Sequence, residues 1–286
     1  MSAPPLPPRA SWFPLLERAL AEDVGTGDAT SAAVLPADAA CAAVIEARAP
    51  LVVCGLPLAQ AAFEAVDPLL VCERTRGEGT RAAAGAELMQ IAGPARSLLS
   101  AERTALNFLS RLCGIATHTR RFVEAVAGTG VEILDTRKTL PGWRVLDKYA
   151  VAVGGGRNHR FGLYDAIVIK DNHIAAAGGV GAAVKAARAA AHHLLIQVEV
   201  ESEAQAAEAI EAGARLLLLD NRTPAELRRL AERFRAHALL EASGGITLAN
   251  VREIAETGVH RVSIGALTHS APAADVALEV RPGRSG

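Results

Sequence analysis

The chain has 286 residues, with 30 Lys and Arg against 31 Asp and Glu, for a formal net charge of −1. That balance argues against a nucleic-acid binder, which carries a clustered basic excess. Half the residues are hydrophobic and only 3% are aromatic, so a large aliphatic core of Ala-faced helices on Val- and Leu-rich strands is expected, in one large or two modest domains. No run approaches the roughly 18 apolar residues of a membrane span. The Pro-rich start from Met1 lacks a signal pattern, and Cys41, Cys54, Cys72 and Cys113 include no CxxC pair. Buried free thiols, no membrane and a cytoplasmic location are the expectation.

In chain order, Trp12, Leu15, Leu16, Ala19 and Leu20 recur at helical spacing. Strands are expected at Ala42–Ala47, Leu69–Arg74 and Glu87–Ala92, with a helix at Leu56–Val66. A long helical stretch from Ser97 to Ala127 is expected to break near Gly114 into two helices. This irregular mixture suggests a small α+β domain. His118, His192, His193 and His237 fall in helix-like stretches and read as surface residues. Trp143 and Tyr149 read as packing residues.

After Gly130 the pattern becomes regular. Apolar runs at Val131–Leu134, Ala166–Ile169, Leu194–Val200, Arg215–Leu219, Leu239–Ala242 and Arg261–Ile264 alternate with helix-like stretches, about one βα unit apart. Continuously apolar runs predict a parallel sheet covered on both faces. Six units fall short of an eightfold barrel, so a smaller α/β barrel is preferred to a doubly wound open sheet.

Ligands in such folds meet the C-terminal strand ends. Here those ends are sorted by chemistry. Cations come first: Arg137 and Lys138 beside Thr136, then His159, Arg160 and Lys170. Glu199 and Asp220 follow, with Glu201 a structural neighbour of Glu199. Ser243, Gly244, Gly245 and Gly265 close the series. Cations can clamp carboxylates or phosphates, acids can hold Mg²⁺ or sugar hydroxyls, and glycine-rich turns can seat a phosphate. A phosphoribosyl compound fits all three sectors. No dinucleotide fingerprint or P-loop is present. Arg103, in the helical run Glu102–Leu109, reads by itself as a salt-bridged surface residue.

Several motifs together resemble the quinolinate phosphoribosyltransferases. They are Glu22-Asp-Val-Gly-Thr-Gly-Asp28, Glu102-Arg-Thr-Ala-Leu-Asn-Phe-Leu109, Asp135-Thr-Arg-Lys-Thr-Leu-Pro-Gly142, Lys148-Tyr-Ala-Val151, Gly154-Gly-Gly-Arg-Asn-His-Arg160, Ile169-Lys-Asp-Asn-His173, Val198-Glu-Val200, Leu219-Asp-Asn221, Ser243-Gly-Gly-Ile246 and Gly265-Ala-Leu-Thr-His-Ser270.

The resemblance implies an N-terminal α/β sandwich domain over 1–115, a C-terminal barrel of about six strands over 116–270, and a tail, 271–286, returning to the first domain. It implies a homodimer and an Mg²⁺-dependent, decarboxylating transfer joining quinolinate to 5-phosphoribosyl 1-diphosphate, as in NAD biosynthesis. By the same carry-over, Arg137, His159 and Arg160 surround the quinolinate carboxylates with Thr136 beside them, and Lys138 and Lys170 lie between the two substrates. Glu199 and Asp220 take the ribose hydroxyls and the metal, and the catalytic set is Lys138, Lys170, Glu199 and Asp220. Ser243, Gly244, Gly245, Gly265 and His269 line the 5-phosphate, and Arg103 enters the partner subunit's site. The rival readings are a same-fold enzyme that ribosylates another acidic heterocycle without decarboxylation, and a non-catalytic anion-binding module.

Overall fold

The computed structural model describes residues 3–191 and 193–281. His192 lies outside the described residues. The chain divides into two compact units. The first holds residues up to Arg120 together with 140–155 and the chain from Leu267, and the second holds 121–139 and 156–266. Segment 140–155, which the sequence reading groups with the barrel, thus clusters with the first unit.

In the first unit, helices α1 (Phe13–Val24) and α2 (Ala29–Val34) precede strand β1 (Ala40–Ala47). There follow β2 (Leu51–Val52), α3 (Leu56–Val66), β3 (Val71–Arg74), β4 (Arg81–Ala82), β5 (Glu87–Pro94) and α4 (Ala95–Ala125), which runs on into the second unit. Helix α5 (Arg144–Val153) and the terminal strand β12 (Val276–Arg281) belong here too. The antiparallel sheet runs β12-β1-β5-β3, with β12 pairing antiparallel to β1. The short β2–β4 pair and α2 have too few residues to show a period, and the sequence reading missed them.

The expected break near Gly114 does not occur. Helix α4 continues through it for 31 residues, burying Leu98, Ala101, Ala105, Leu109, Leu112 and Ala116 along one stripe. Gly114 is there for space: a Cβ would collide with the carbonyl oxygen of Pro272. Glycine here buys close backbone approach instead of ending the helix. His118, on the same helix, is half-buried with its Nδ1 sealed from solvent, so it is not the surface residue expected; His193 and His237 are exposed. Trp143 stacks on Phe108 at 4.6 Å between ring centroids, and Tyr149 donates to Glu78 at 2.8 Å. Both are packing residues, as read. Asp147 is fully buried and takes a bidentate grip from Arg111, at 3.0 and 2.8 Å.

The second unit is the expected α/β barrel. Its strands are β6 (Glu132–Leu134), β7 (Ala166–Ile169), β8 (Leu195–Glu199), β9 (Leu216–Asp220), β10 (Leu239–Ser243) and β11 (Arg261–Ser263), all parallel, in the order β6-β11-β10-β9-β8-β7. Helices α6 (Asp171–Ala177), α7 (Val180–Ala190), α8 (Glu203–Glu211), α9 (Pro224–Phe234) and α10 (Val251–Ala255) separate the strands, and α11 (Ala266–His269) follows β11.

One expectation for the strands fails. They are not apolar on both faces. The register aligns Glu199, Leu218, Glu241, Arg261 and Glu132 across the sheet, and residues so paired share one face. Gln197 and Ser243 stand two residues away on that same face. The opposite face, with Val198, Leu217, Leu240 and Val262 all fully buried, is the aliphatic one. Polar residues therefore fill much of the barrel interior.

Candidate active site

Because the strands are parallel, their C-terminal ends share one rim. Arg137 follows β6, Lys170 follows β7, and Glu199, Asp220 and Ser243 end β8, β9 and β10, with Gly265 just past β11. Every residue proposed from the sequence lies on this unit except Arg103 and His269, which belong to the first.

Residues 157–160 occupy the seam between the edge strands. Arg157 joins β6 through its N–H to Ile133 O, at 2.8 Å, and accepts from Asp135 N at 3.1 Å. The buried Asp135 carboxylate accepts from His159 N at 2.8 Å. Arg160 reaches the other edge, its Nη1 donating to Ala166 O at 3.0 Å. The His159 ring then spans the interior, with Nε2 2.9 Å from Gln197 Oε1 and 3.4 Å from Glu241 Oε1. One ring meeting β8 and β10 from the β6–β7 seam requires the sheet to curl round on itself.

His159 does not act here as one of the expected cations. Its Nδ1 accepts from Arg160 N at 2.7 Å, and a backbone N–H can only donate. Nδ1 is therefore unprotonated, the proton sits on Nε2, and the ring is neutral.

The remaining cations are real and crowded. Burial and then the nearby Arg137 lower the pKa of Arg160, so the two guanidinium groups repel each other in a partly dry setting. Lys138 is exposed, its backbone N–H donating to Thr136 Oγ1 at 3.0 Å. Lys170 is exposed too, and its Nζ lies 2.8 Å from Glu199 Oε2. His173 steadies Lys170 by accepting its backbone N–H at 3.0 Å, which gives the Lys-Asp-Asn-His spacing a physical purpose.

On the acidic side, Glu199 and Asp220 are half-buried on neighbouring strands. Asn221, in left-handed backbone at φ 52°, donates from Nδ2 to Asp220 Oδ2 at 2.8 Å and from its backbone to Ser243 O at 2.9 Å. Gly244, at φ +91°, must be glycine twice over, since a Cβ there would also collide with Asn221 Oδ1. Among the described residues no three His, Cys, Asp or Glu cluster as a metal site. Two carboxylates match Mg²⁺, which commonly takes one or two protein carboxylates and completes its shell with water and substrate phosphates.

Arg103 is well exposed on α4, with its Nη2 3.8 Å from Glu102 Oε1. His269 is exposed, its Nδ1 2.6 Å from Ser270 Oγ. Gln197 and Glu241 were missed; the visible signal was a polar residue inside each apolar run, Leu195-Ile-Gln-Val-Glu199 and Leu239-Leu-Glu-Ala-Ser243.

Residues 28–113 match the family model for the N-terminal domain of quinolinate phosphoribosyl transferase, and residues 115–279 match that for its C-terminal domain. The chain belongs to the quinolinate phosphoribosyltransferase family. It is 44% identical over 267 residues to a probable nicotinate-nucleotide pyrophosphorylase of Bacillus subtilis, covering 93% of this chain and 92% of that protein. A nicotinate-nucleotide pyrophosphorylase of Mycobacterium leprae is 43% identical over 272 residues, covering 93% of this chain and 95% of the relative. The solved structure of the Francisella tularensis nicotinate-nucleotide pyrophosphorylase superposes with a TM-score of 0.93 at 36% identity, covering 96% of this chain and 97% of that one. Among quinolinate phosphoribosyltransferases, then, this chain carries both domains. No helix among the described residues is long and apolar enough to cross a membrane.

Proposed function

We propose that this chain joins quinolinate to 5-phosphoribosyl 1-diphosphate, releasing diphosphate and CO₂ and forming nicotinate mononucleotide for NAD biosynthesis. The observation that carries this reading is the sorting of charge along one barrel rim. Arg137, Arg160, Lys138 and Lys170 lie at β6, the seam and β7; Glu199 and Asp220 end β8 and β9; and Ser243-Gly-Gly245 ends β10. Two mutually repelling guanidinium groups favour a ligand with two carboxylates, each able to take a bidentate fork.

The chemistry follows from that arrangement. The ring nitrogen attacks C1 of the ribose as the C1–O bond to diphosphate breaks, and diphosphate leaves with the bonding pair. Lys138 and Lys170 would offset its charge, while Glu199 and Asp220 would offset the positive charge developing on the ribose. Glu199 and Asp220 would also hold Mg²⁺, which when bound supplies further neutralisation of the leaving diphosphate. The ribosylated ring is cationic. The C2–carboxylate bond then breaks, CO₂ leaves, and the electron pair stays at C2, beside the ring cation, until a proton takes it. The substrate is its own electron sink.

A ring lacking one carboxylate would forgo one of the two guanidinium–carboxylate contacts, which supports selection for the dicarboxylate. The reading includes a homodimer in which Arg103, exposed on α4, enters the neighbour's site. Incubation with quinolinate, the phosphoribosyl donor and Mg²⁺, followed by chromatography, tests the reading. It predicts nicotinate mononucleotide. Tight quinolinate binding with no nucleotide formed would make the protein an anion-binding module instead.

A further inference from the structure

The barrel interior holds polar atoms that the transfer chemistry does not use. Glu241, on β10, is 1% exposed, and neither carboxylate oxygen makes a hydrogen bond among the described residues. Gln197, on β8, is 2% exposed, and its Nε2 has no hydrogen-bond partner among the described residues. Both side chains point at one ring nitrogen, His159 Nε2, at 3.4 and 2.9 Å. A buried carboxylate without hydrogen bonds opposes folding, and an apolar residue of similar volume would avoid that loss. A carboxyl group kept in such a place is explained by what it does to its neighbour.

We propose that Glu241, together with Gln197, is a positioning residue for the anion clamp. Its carboxylate and the Gln197 carbonyl keep the His159 proton on Nε2. Nδ1 is thereby left to accept the Arg160 N–H, and this fixes the backbone from which the Arg160 guanidinium is aimed. The relay runs from β8 and β10 through the ring to the seam. The proposal rests on reading Arg160 as a clamp for a substrate carboxylate.

The test compares the full chain with its Glu241→Leu and Gln197→Leu variants, using ring-nitrogen NMR of His159 without substrate, thermal melting, and steady-state kinetics. The expected result for Glu241→Leu is a melting temperature at or above that of the unaltered chain and a loss of the single Nε2–H tautomer. Its quinolinate KM should rise about 10-fold, which corresponds to about 1.4 kcal/mol of weakened binding, with a smaller change in kcat. Should Glu241→Leu fail to fold, Gln197→Leu is expected to give the same tautomer loss and KM rise. Glu241→Gln keeps an acceptor and should restore most of the tautomer signal. A folded leucine variant with an unaltered His159 spectrum, or with an unaltered quinolinate KM, overturns the proposal. An unaltered chain that binds no quinolinate sinks the functional reading instead. The substrate-free spectra still decide whether Glu241 orients the ring.

Discussion

Lys170 and Glu199 meet across the ends of two adjacent parallel strands, with Nζ 2.8 Å from Oε2. The lysine is half exposed, with 52% of its side chain accessible, so the pair contributes at most about 1 kcal/mol to folding. Its significance is chemical. On the proposed reading it joins the cationic and acidic sectors where ribose and diphosphate would separate.

Lys170→Met and Glu199→Gln should therefore leave the melting temperature nearly unchanged while lowering kcat by about 10²–10³-fold, the usual loss on removing one group that stabilises transition-state charge. Glu199→Gln should weaken quinolinate binding much less than it lowers turnover. Calorimetric titration beside steady-state kinetics checks both. Equal losses in binding and turnover would contradict the role given to Glu199.

Gly114→Ala should destabilise the protein although alanine is the better helix former by about 1 kcal/mol. The added methyl has the Pro272 carbonyl oxygen in its way, and that oxygen is backbone. Urea denaturation of the two proteins side by side gives the sign. A more stable alanine variant would mean that the approach of α4 to the chain near Pro272 is looser than described.

The same glycine shows where sequence reading stops. Periodicity marks a helix from Ser97 onward, and a mid-pattern glycine reads equally well as a break or as a close contact. Only the partner, far along the chain at Pro272, decides between them. Likewise, the six barrel strands are visible as apolar runs with polar ends, because β-strands ending at a ligand rim must change chemistry there. Glu241 and Gln197 sit inside those runs as single polar letters. Their meaning depends on His159 arriving from a seam that has no secondary-structure signature at all. The neutral state of that ring is also invisible in sequence, since it follows from one backbone N–H.

Thiol labelling offers a pH-resolved check. Burial pushes the Cys113 thiol up to about 12, and Cys54 beside it is raised well above its usual value, again by burial first. Cys41 and Cys72 are half-buried. At pH 8 the native protein should react with a disulfide reagent only at Cys41 and Cys72, slowly, and unfolding in guanidinium should release all four thiols. Linkage has a definite sign here. An unfolded thiol loses its proton near about 8.5 whereas native Cys113 keeps it to higher pH, so stability should fall as pH rises through that window. Rapid native labelling of all four would contradict the described packing.

Arg103→Ala and Lys138→Ala should each be nearly inactive as homodimers if Arg103 serves the neighbouring subunit. Mixing the two variants under conditions of subunit exchange should then restore activity in about a quarter to a half of the sites, because one interface pairing rebuilds an intact pocket. The activity of verified heterodimers is the measurement. No recovery would remove the shared site and leave Arg103 as a surface residue.

On the proposed reading, one rim grips a pyridine dicarboxylate beside an activated ribose phosphate and carries out both transfer and decarboxylation. Quinolinate labelled at its C2 carboxyl, incubated with the unaltered chain, Mg²⁺ and the phosphoribosyl donor, tests it most directly. Labelled CO₂ should be released one for one with diphosphate, and none should form when the donor is omitted. Diphosphate release without labelled CO₂, or CO₂ release without the donor, would contradict it.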